Sequence, residues 1–259
     1  MNCMWKFWEN YAKNKNMKTK KEKIIFLSEG QKVRGTLVKP IKVAKKIPGV
    51  IFFHGMTSSE KGYIPIAEKL ARKDICVMTL NIRGHGNSEG DFSKLTVKNA
   101  IQDGLNAYKF LVKQAFVDRD RIGLCGSSVG GVIVSVVSKH KKIKSLILKA
   151  PAVYTKQMIA GMTYKKSMER EDKIFKEIKD ISNSPPVKAM LNFKGNLLAV
   201  LSEKDNIIPN PIQKQYISNA KKAIMKKIIV IKDADHSLSK KKWKNQFIHE
   251  MLKWFTTTL

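Results

Sequence analysis

Residues Leu124–Gly131, LCGSSVGG, carry the densest chemical signal in the chain. Gly126, Ser128 and Gly130 satisfy the spacing G-x-S-x-G, whereas Ser127 is flanked at the same distances by Cys125 and Val129. A serine lifted on a sharp strand-to-helix turn needs neighbours without side chains, because strand and helix approach each other there. The competing reading is an ordinary glycine-rich turn. A serine hydroxyl is a poor nucleophile without a base, and the chain offers histidines at 54, 85, 140, 236 and 249. His236, in KDADHSL, follows an apolar run whose loop can carry it to the end of a sheet. His54 and His85 sit in glycine loops, His140 ends the segment after Ser128, and His249 falls in the last helical pattern. A histidine base needs a carboxylate to fix its tautomer. Asp205, in LSEKDNIIP, ends an earlier apolar run. Glu203 would still lie within the strand, and Asp233 and Asp235 are too close in sequence to His236. An unperturbed imidazole titrates near 6.5, so a histidine base predicts activity falling in acid.

Three residues this far apart converge only if loops at one end of a sheet bring them together. The segment KIIFLSEGQKVRGTLVKP reads as two strands turning near Glu29-Gly30. GVIFFHG (49–55), ICVMTLNIRGHG (75–86) and KKIIVIKDADH (226–236) read as buried strands, and RIGLCG (121–126), KSLILKAPA (144–152) and NLLAVLSEKD (196–205) as further strands. Ile64, Ala67, Leu70 and Ala71 have helical spacing, as do Val97, Ile101, Leu105, Tyr108 and Val112. SVGGVIVSVVSKH is valine-rich enough for a strand, yet a helix is needed there to return the chain between parallel strands. Asn210-Pro211 reads as a helix cap followed by a first-turn proline. Trp243, Phe247, Ile248, Met251 and Phe255 line a closing helix. Residues 154–193 break the alternation.

The chain has 259 residues, 43% of them hydrophobic, which suits one large α/β domain. Its formal net charge of +29 invites a nucleic-acid reading. Only six of the 50 basic residues are arginine, however, and the lysines are scattered, so no specific nucleic-acid partner is expected. Cys3, Cys76 and Cys125 form neither a metal spacing nor a disulfide framework, which suits a reducing, cytoplasmic setting. Residues 1–23 read as a basic, aromatic extension. Met1, Met4, Trp5, Trp8 and Tyr11 share one helical face ahead of a lysine run. Weak membrane-surface association, packing on the body and a free tail are all open readings of it.

HGMTSS (54–59), RGHGNSEG (83–90), GSSVGG (126–131), SEKDNIIP (202–209) and DADHS (233–237) together resemble the α/β-hydrolase superfamily. The likeness is to the bacterial esterase branch with the cinnamoyl and feruloyl esterases and the serine-aminopeptidase-like hydrolases, over residues 24–259. It implies a mostly parallel central sheet flanked by helices, with a short helical lid at about 154–193. It implies a triad of Ser128, Asp205 and His236, and an oxyanion hole from the amides of Met56 and Val129. It casts Arg83, His85 and Asp103 as supports of the oxyanion loop, with Arg83 alternatively a substrate carboxylate binder. Tyr154, Met158 and Tyr164, with Met162 and Met168, would line an acyl or aromatic pocket or pack the lid. Ser127 stands where the family often has histidine or glutamine. Neither metal nor organic cofactor is implied. The expected function is a serine hydrolase acting on small carboxylic esters. The alternatives are a peptidase or thioesterase with the same triad, or a non-catalytic, membrane-recruited binding protein on the same scaffold.

Overall fold

A computed structural model describes residues 17–169 and 180–259. Residues 1–16, with the expected aromatic stripe and Cys3, lie outside the described residues.

Eight strands form one sheet: β1 (Thr19–Ser28), β2 (Gln31–Pro40), β3 (Ile47–Phe53), β4 (Cys76–Asn81), β5 (Val117–Ser127), β6 (Ser145–Lys149), β7 (Asn196–Ser202) and β8 (Met225–Ile231), in the spatial order β1-β2-β4-β3-β5-β6-β7-β8. β1 pairs antiparallel with β2, and β2 antiparallel with β4; every later pairing is parallel. The expected mostly parallel α/β sheet is therefore present. β1 begins at Thr19, paired with Pro40, so the last residues of the expected extension belong to the sheet.

Parallel strands need crossover helices, and these cover both faces. α1 (Ile64–Ala71) and α7 (Lys241–Thr258) pack on one face. On the other lie α2 (Val97–Val112), α3 (Val129–His140), the short α4 (Lys156–Gly161) and α5 (Pro185–Met190), and α6 (Asn210–Asn219). The valine-rich segment after Ser128 is α3, as connectivity required. Val129, Val132, Ile133, Val134 and Val137 are all buried, so packing outweighs the strand preference of valine.

The helix read from Val97, Ile101, Leu105, Tyr108 and Val112 is present as α2, whereas the reading of Asn210 as a cap is corrected. The face of α2 that is fully buried is Val97, Ala100, Gly104, Ala107 and Leu111, while Ile101, Leu105, Tyr108 and Val112 are only partly buried. Small residues face inward because α3 crosses close by: a methyl group at Gly104 would meet Ile133 and Val137. Asn210 does not cap α6 with its side chain. Its Nδ2 donates instead to the carbonyls of Ser202 and Glu203, at 2.9 and 3.2 Å, tying the helix start to the end of β7.

β8, expected as a buried strand, is instead an edge strand in which only Ile231 is buried, because one of its sides has no neighbouring strand among the described residues. Met225, Ile228 and Val230 are exposed on it, next to Lys226 and Lys227. Among the described residues no helix is long and apolar enough to cross a membrane. Cys76 and Cys125 are free, buried thiols; burial pushes Cys76 up to about 12 and Cys125 higher still, so neither is a ready nucleophile.

Candidate active site

Because the central strands are parallel, their carboxyl ends share one edge of the sheet, and the loops that leave that edge carry the chemistry. Ser128 follows β5 at φ 53° and ψ −118°, a conformation that costs a non-glycine residue about 1–3 kcal/mol. The cost is met by clamping. The Ser128 amide donates to the Lys149 carbonyl at 3.0 Å, and its own carbonyl accepts from Gly131 (2.8 Å) and Ala152 (3.0 Å). The glycines are needed for the predicted steric reason. A methyl group at Gly126 would collide with the Gly130 carbonyl, and one at Gly130 with the carbonyl of Phe53.

Asp205 follows β7, and its side chain is completely enclosed. One oxygen accepts from the amides of Ile207 and Ile208, at 3.0 and 2.8 Å; the other accepts from Gln213 Nε2 at 2.9 Å. Nδ1 of His236, in the loop after β8, lies 3.0 and 2.9 Å from the two carboxylate oxygens. A proton on Nδ1 is the tautomer this contact assigns, leaving the Nε2 lone pair free. Burial acts to raise the Asp205 pKa, but the hydrogen bond and charge of His236, with the two loop amides, outweigh it and hold the carboxyl below its ordinary value. The carboxylate is thus ionised at neutral pH.

Ser128 and His236 line the same cavity, of about 510 Å³. No direct hydrogen bond joins the serine hydroxyl to the imidazole among the described residues. Gly55, after β3, runs past the serine: a methyl group there would sit 3.6 Å from the Ser128 Cβ. Two histidines hold this loop. His54 accepts the Ile82 amide on Nε2 at 3.1 Å and so donates from Nδ1 to the Gly55 carbonyl at 2.8 Å. In a trans peptide the N–H points away from the carbonyl, so this bond turns the Met56 amide to the opposite side of the peptide plane. His85 Nε2 contacts the Met56 carbonyl. Val129 begins α3, so its amide is one of the helix donors without an intrahelical partner.

Arg83 supports this loop from behind. Its amide and guanidinium bind Asp103, at 3.0 Å (amide) and 2.9 Å (Nε), and its other nitrogens reach Glu29 and Ser28, each at 2.8 Å. With these donors occupied and the residue buried, Arg83 is a brace and not a substrate carboxylate binder.

The neutral state of His54 has a price in acid. Burial, reinforced by His85, outweighs the Gly55 hydrogen bond and lowers His54 from 6.5 to about 4. A depressed value means a contribution fully present above pH 6.5 and lost as pH falls through about 4. The linkage is worth roughly 3 kcal/mol. Urea unfolding midpoints measured between pH 7 and 4.5 should fall, and more steeply for the parent protein than for His54→Gln, whose amide oxygen can still accept the Ile82 N–H.

Tyr154, Met158 and Tyr164, expected to line a substrate pocket or pack the lid, stand apart from this cavity. All three are buried, and none lines this cavity. The Tyr154 hydroxyl bonds Ser167 at 2.7 Å, and the Tyr164 ring packs edge-on against His85 and Phe92. Large aromatic faces gain more from this packing than from an open pocket. The cavity is walled instead by Tyr63, Ile66, Phe247 and Ile248, with Met168 and Ile207. The Asp205 prop Gln213 and the cavity residue Lys149 were not anticipated. A single lysine inside SLILKAPA, between buried positions, was the legible signal for the second. His140 and His249 are exposed, and neither lines this cavity.

A sequence profile of the serine aminopeptidase S33 family matches residues 45–192. Among curated proteins, the thiohydrolase aneE of Aspergillus aculeatus is 27% identical over 166 residues, 62% of this chain and 51% of that protein. An uncharacterized 31.7 kDa protein of Escherichia coli, from a traX-finO intergenic region, is 27% identical over 104 residues, 39% of this chain and 36% of its own length. The chain therefore covers about half or less of these relatives. Among solved structures, the acylaminoacyl peptidase of Pyrococcus horikoshii superposes with a TM-score of 0.73 at 21% identity, over 97% of this chain and 44% of that one. Est1E of Butyrivibrio proteoclasticus, solved with ferulic acid, gives 0.67 at 19% identity, over 89% and 98%. At such identities these two speak for the fold alone. The profile spans more than half of the chain, and together with the parallel sheet and its matching loop motifs it identifies the protein as a member of the serine aminopeptidase S33 family of α/β-hydrolases.

Proposed function

We propose that the protein is a serine hydrolase that cleaves carboxylic esters through an acyl-enzyme. The observation that carries this reading is the enclosed Asp205 carboxylate held on His236 Nδ1, with His236 facing the cavity that Ser128 enters on a strained turn. In this reading Ser128 Oγ attacks the ester carbonyl carbon while His236 Nε2 takes the hydroxyl proton. Asp205 stabilises the imidazolium so formed. The amides of Met56 and Val129 donate to the negative oxygen of the tetrahedral intermediate. His236 returns the proton to the departing alkoxide, and the alcohol leaves. Water, deprotonated by the same imidazole, then attacks the acyl-enzyme and releases the acid. Free enzymes commonly show a loose serine–histidine contact that closes only with substrate bound.

A thioester is the second reading, favoured by the similarity to the thiohydrolase; the triad itself accepts either acyl donor. A fluorophosphonate probe followed by peptide mapping tests the shared chemistry. Modification is expected at Ser128 alone. An unlabelled protein, or a label on another serine, refutes the assignment, and paired oxygen and sulfur esters of one acid then rank the two donors.

A further inference from the structure

Among the described residues, the cavity wall carries two lysines, Lys149 and Lys244, and no aspartate or glutamate. The rest of its polar lining is neutral hydroxyls and His236. Lys149 ends β6 and is only 5% exposed. An ammonium has three N–H donors, and among the described residues this one makes a single hydrogen bond, to the main-chain carbonyl of His236. Among the described residues no carboxylate forms an ion pair with it. Buried cations are ordinarily paired, because an unpaired charge out of water is costly. Burial lowers Lys149 from 10.5 to about 8, while the more distant Asp205 and Asp235 act to raise it, so at neutral pH the ammonium persists without a contacting counter-charge.

We propose that the cavity takes an ester bearing a free carboxylate, a half-ester of a short dicarboxylic acid, and that Lys149 is the residue that binds this carboxylate. The proposal rests on the hydrolytic reading and narrows its substrate class. An incoming carboxylate would supply the missing acceptors to an ammonium already stripped of most of its water. Lys244, on the solvent side of the same wall, adds attraction at the mouth. A neutral ester of the same shape would leave those donors unpaired, and a site built around buried polar groups discriminates strongly against such an analogue. The position of Lys149 couples this recognition to the triad: its carbonyl holds the Ser128 amide and its ammonium holds the His236 carbonyl.

The test is calorimetric binding at pH 7 of monophenyl glutarate and of its carboxamide counterpart to the Ser128→Ala protein, in which neither ester turns over. The acid should bind about 30-fold tighter, the range of a charge-assisted hydrogen bond. Adding Lys149→Met should bring the two ligands to within about threefold, by the same argument. Equal binding of acid and amide, no measurable binding of the acid, or a preference that survives Lys149→Met overturns the proposal. So does equal weakening of both ligands, which would make Lys149 only a tether of the His236 loop. Should the double variant fail to fold, a pH series on Ser128→Ala decides. The groups around the Lys149 ammonium are Asp205, Asp235 and His236 in two loops, Cys125 on β5, Tyr63 before α1 and Lys244 on α7. Burial lowers Lys149 to about 8, so the preference should decay between pH 7 and 9.5, and a constant preference overturns the proposal. Binding here needs no catalysis. Failure of probe labelling at Ser128 in the parent protein would undo the hydrolytic reading separately.

Discussion

Ser128→Ala should lower kcat for 4-nitrophenyl butyrate by about six orders of magnitude, in line with removal of a triad serine elsewhere. The hydroxyl is the only atom removed, and it lines the cavity without belonging to the core. The backbone clamps through Lys149, Gly131 and Ala152 use main-chain atoms and survive the change. Alanine also bears the positive φ about as poorly as serine does, so stability should stay within roughly 1 kcal/mol of the parent. Steady-state turnover and a thermal melt check the two halves. Retention of a tenth of the parent rate would remove Ser128 from the chemistry.

Asp205→Asn should cost about four orders of magnitude in kcat, through the tautomer of His236 and not through loss of the loop. The amides of Ile207 and Ile208 both bind one carboxylate oxygen, and asparagine keeps an oxygen there. The other oxygen accepts from Gln213 Nε2 and lies 2.9 Å from His236 Nδ1, which is 3.0 Å from the first oxygen as well, so the imidazole is shared between the two. An amide nitrogen in that place would meet donor with donor. The imidazole escapes by moving its proton to Nε2, the atom needed to accept the serine proton. KM should change far less than kcat, and probe labelling of Ser128 should slow in parallel. A tenfold or smaller effect on kcat would show that the carboxylate only shapes the loop.

The loops that carry the chemistry were legible because glycine and apolar runs are local signals. Gly126 and Gly130 mark the elbow, and the apolar runs ahead of Asp205 and His236 lead to one edge of a parallel sheet. The helix after Ser128 was legible from topology alone, since valine points the other way. The cavity lining was not legible. Which face of an insertion a tyrosine such as Tyr154 or Tyr164 presents depends on where the helices cross, and sequence spacing holds no information on that. Nor does spacing show that α7, whose apolar stripe reads as core, gives Phe247 and Ile248 to the cavity wall. Lys149 was passed over for a related reason: its meaning comes from the loop after β8, 87 residues on.

The open rim of the sheet at β8 bears on how the molecule behaves in a crowd. Among the described residues its outer backbone groups face no neighbouring strand, and Ile228 and Val230 stand bare beside them, a template for a second extended chain. What opposes this is the repulsion of Lys226 and Lys227 from their counterparts, on a molecule already heavily cationic. Such a guard is electrostatic and is weakened by added ions. The protein's colloidal behaviour should therefore be governed by ionic strength, with concentrated salt removing what keeps two rims apart.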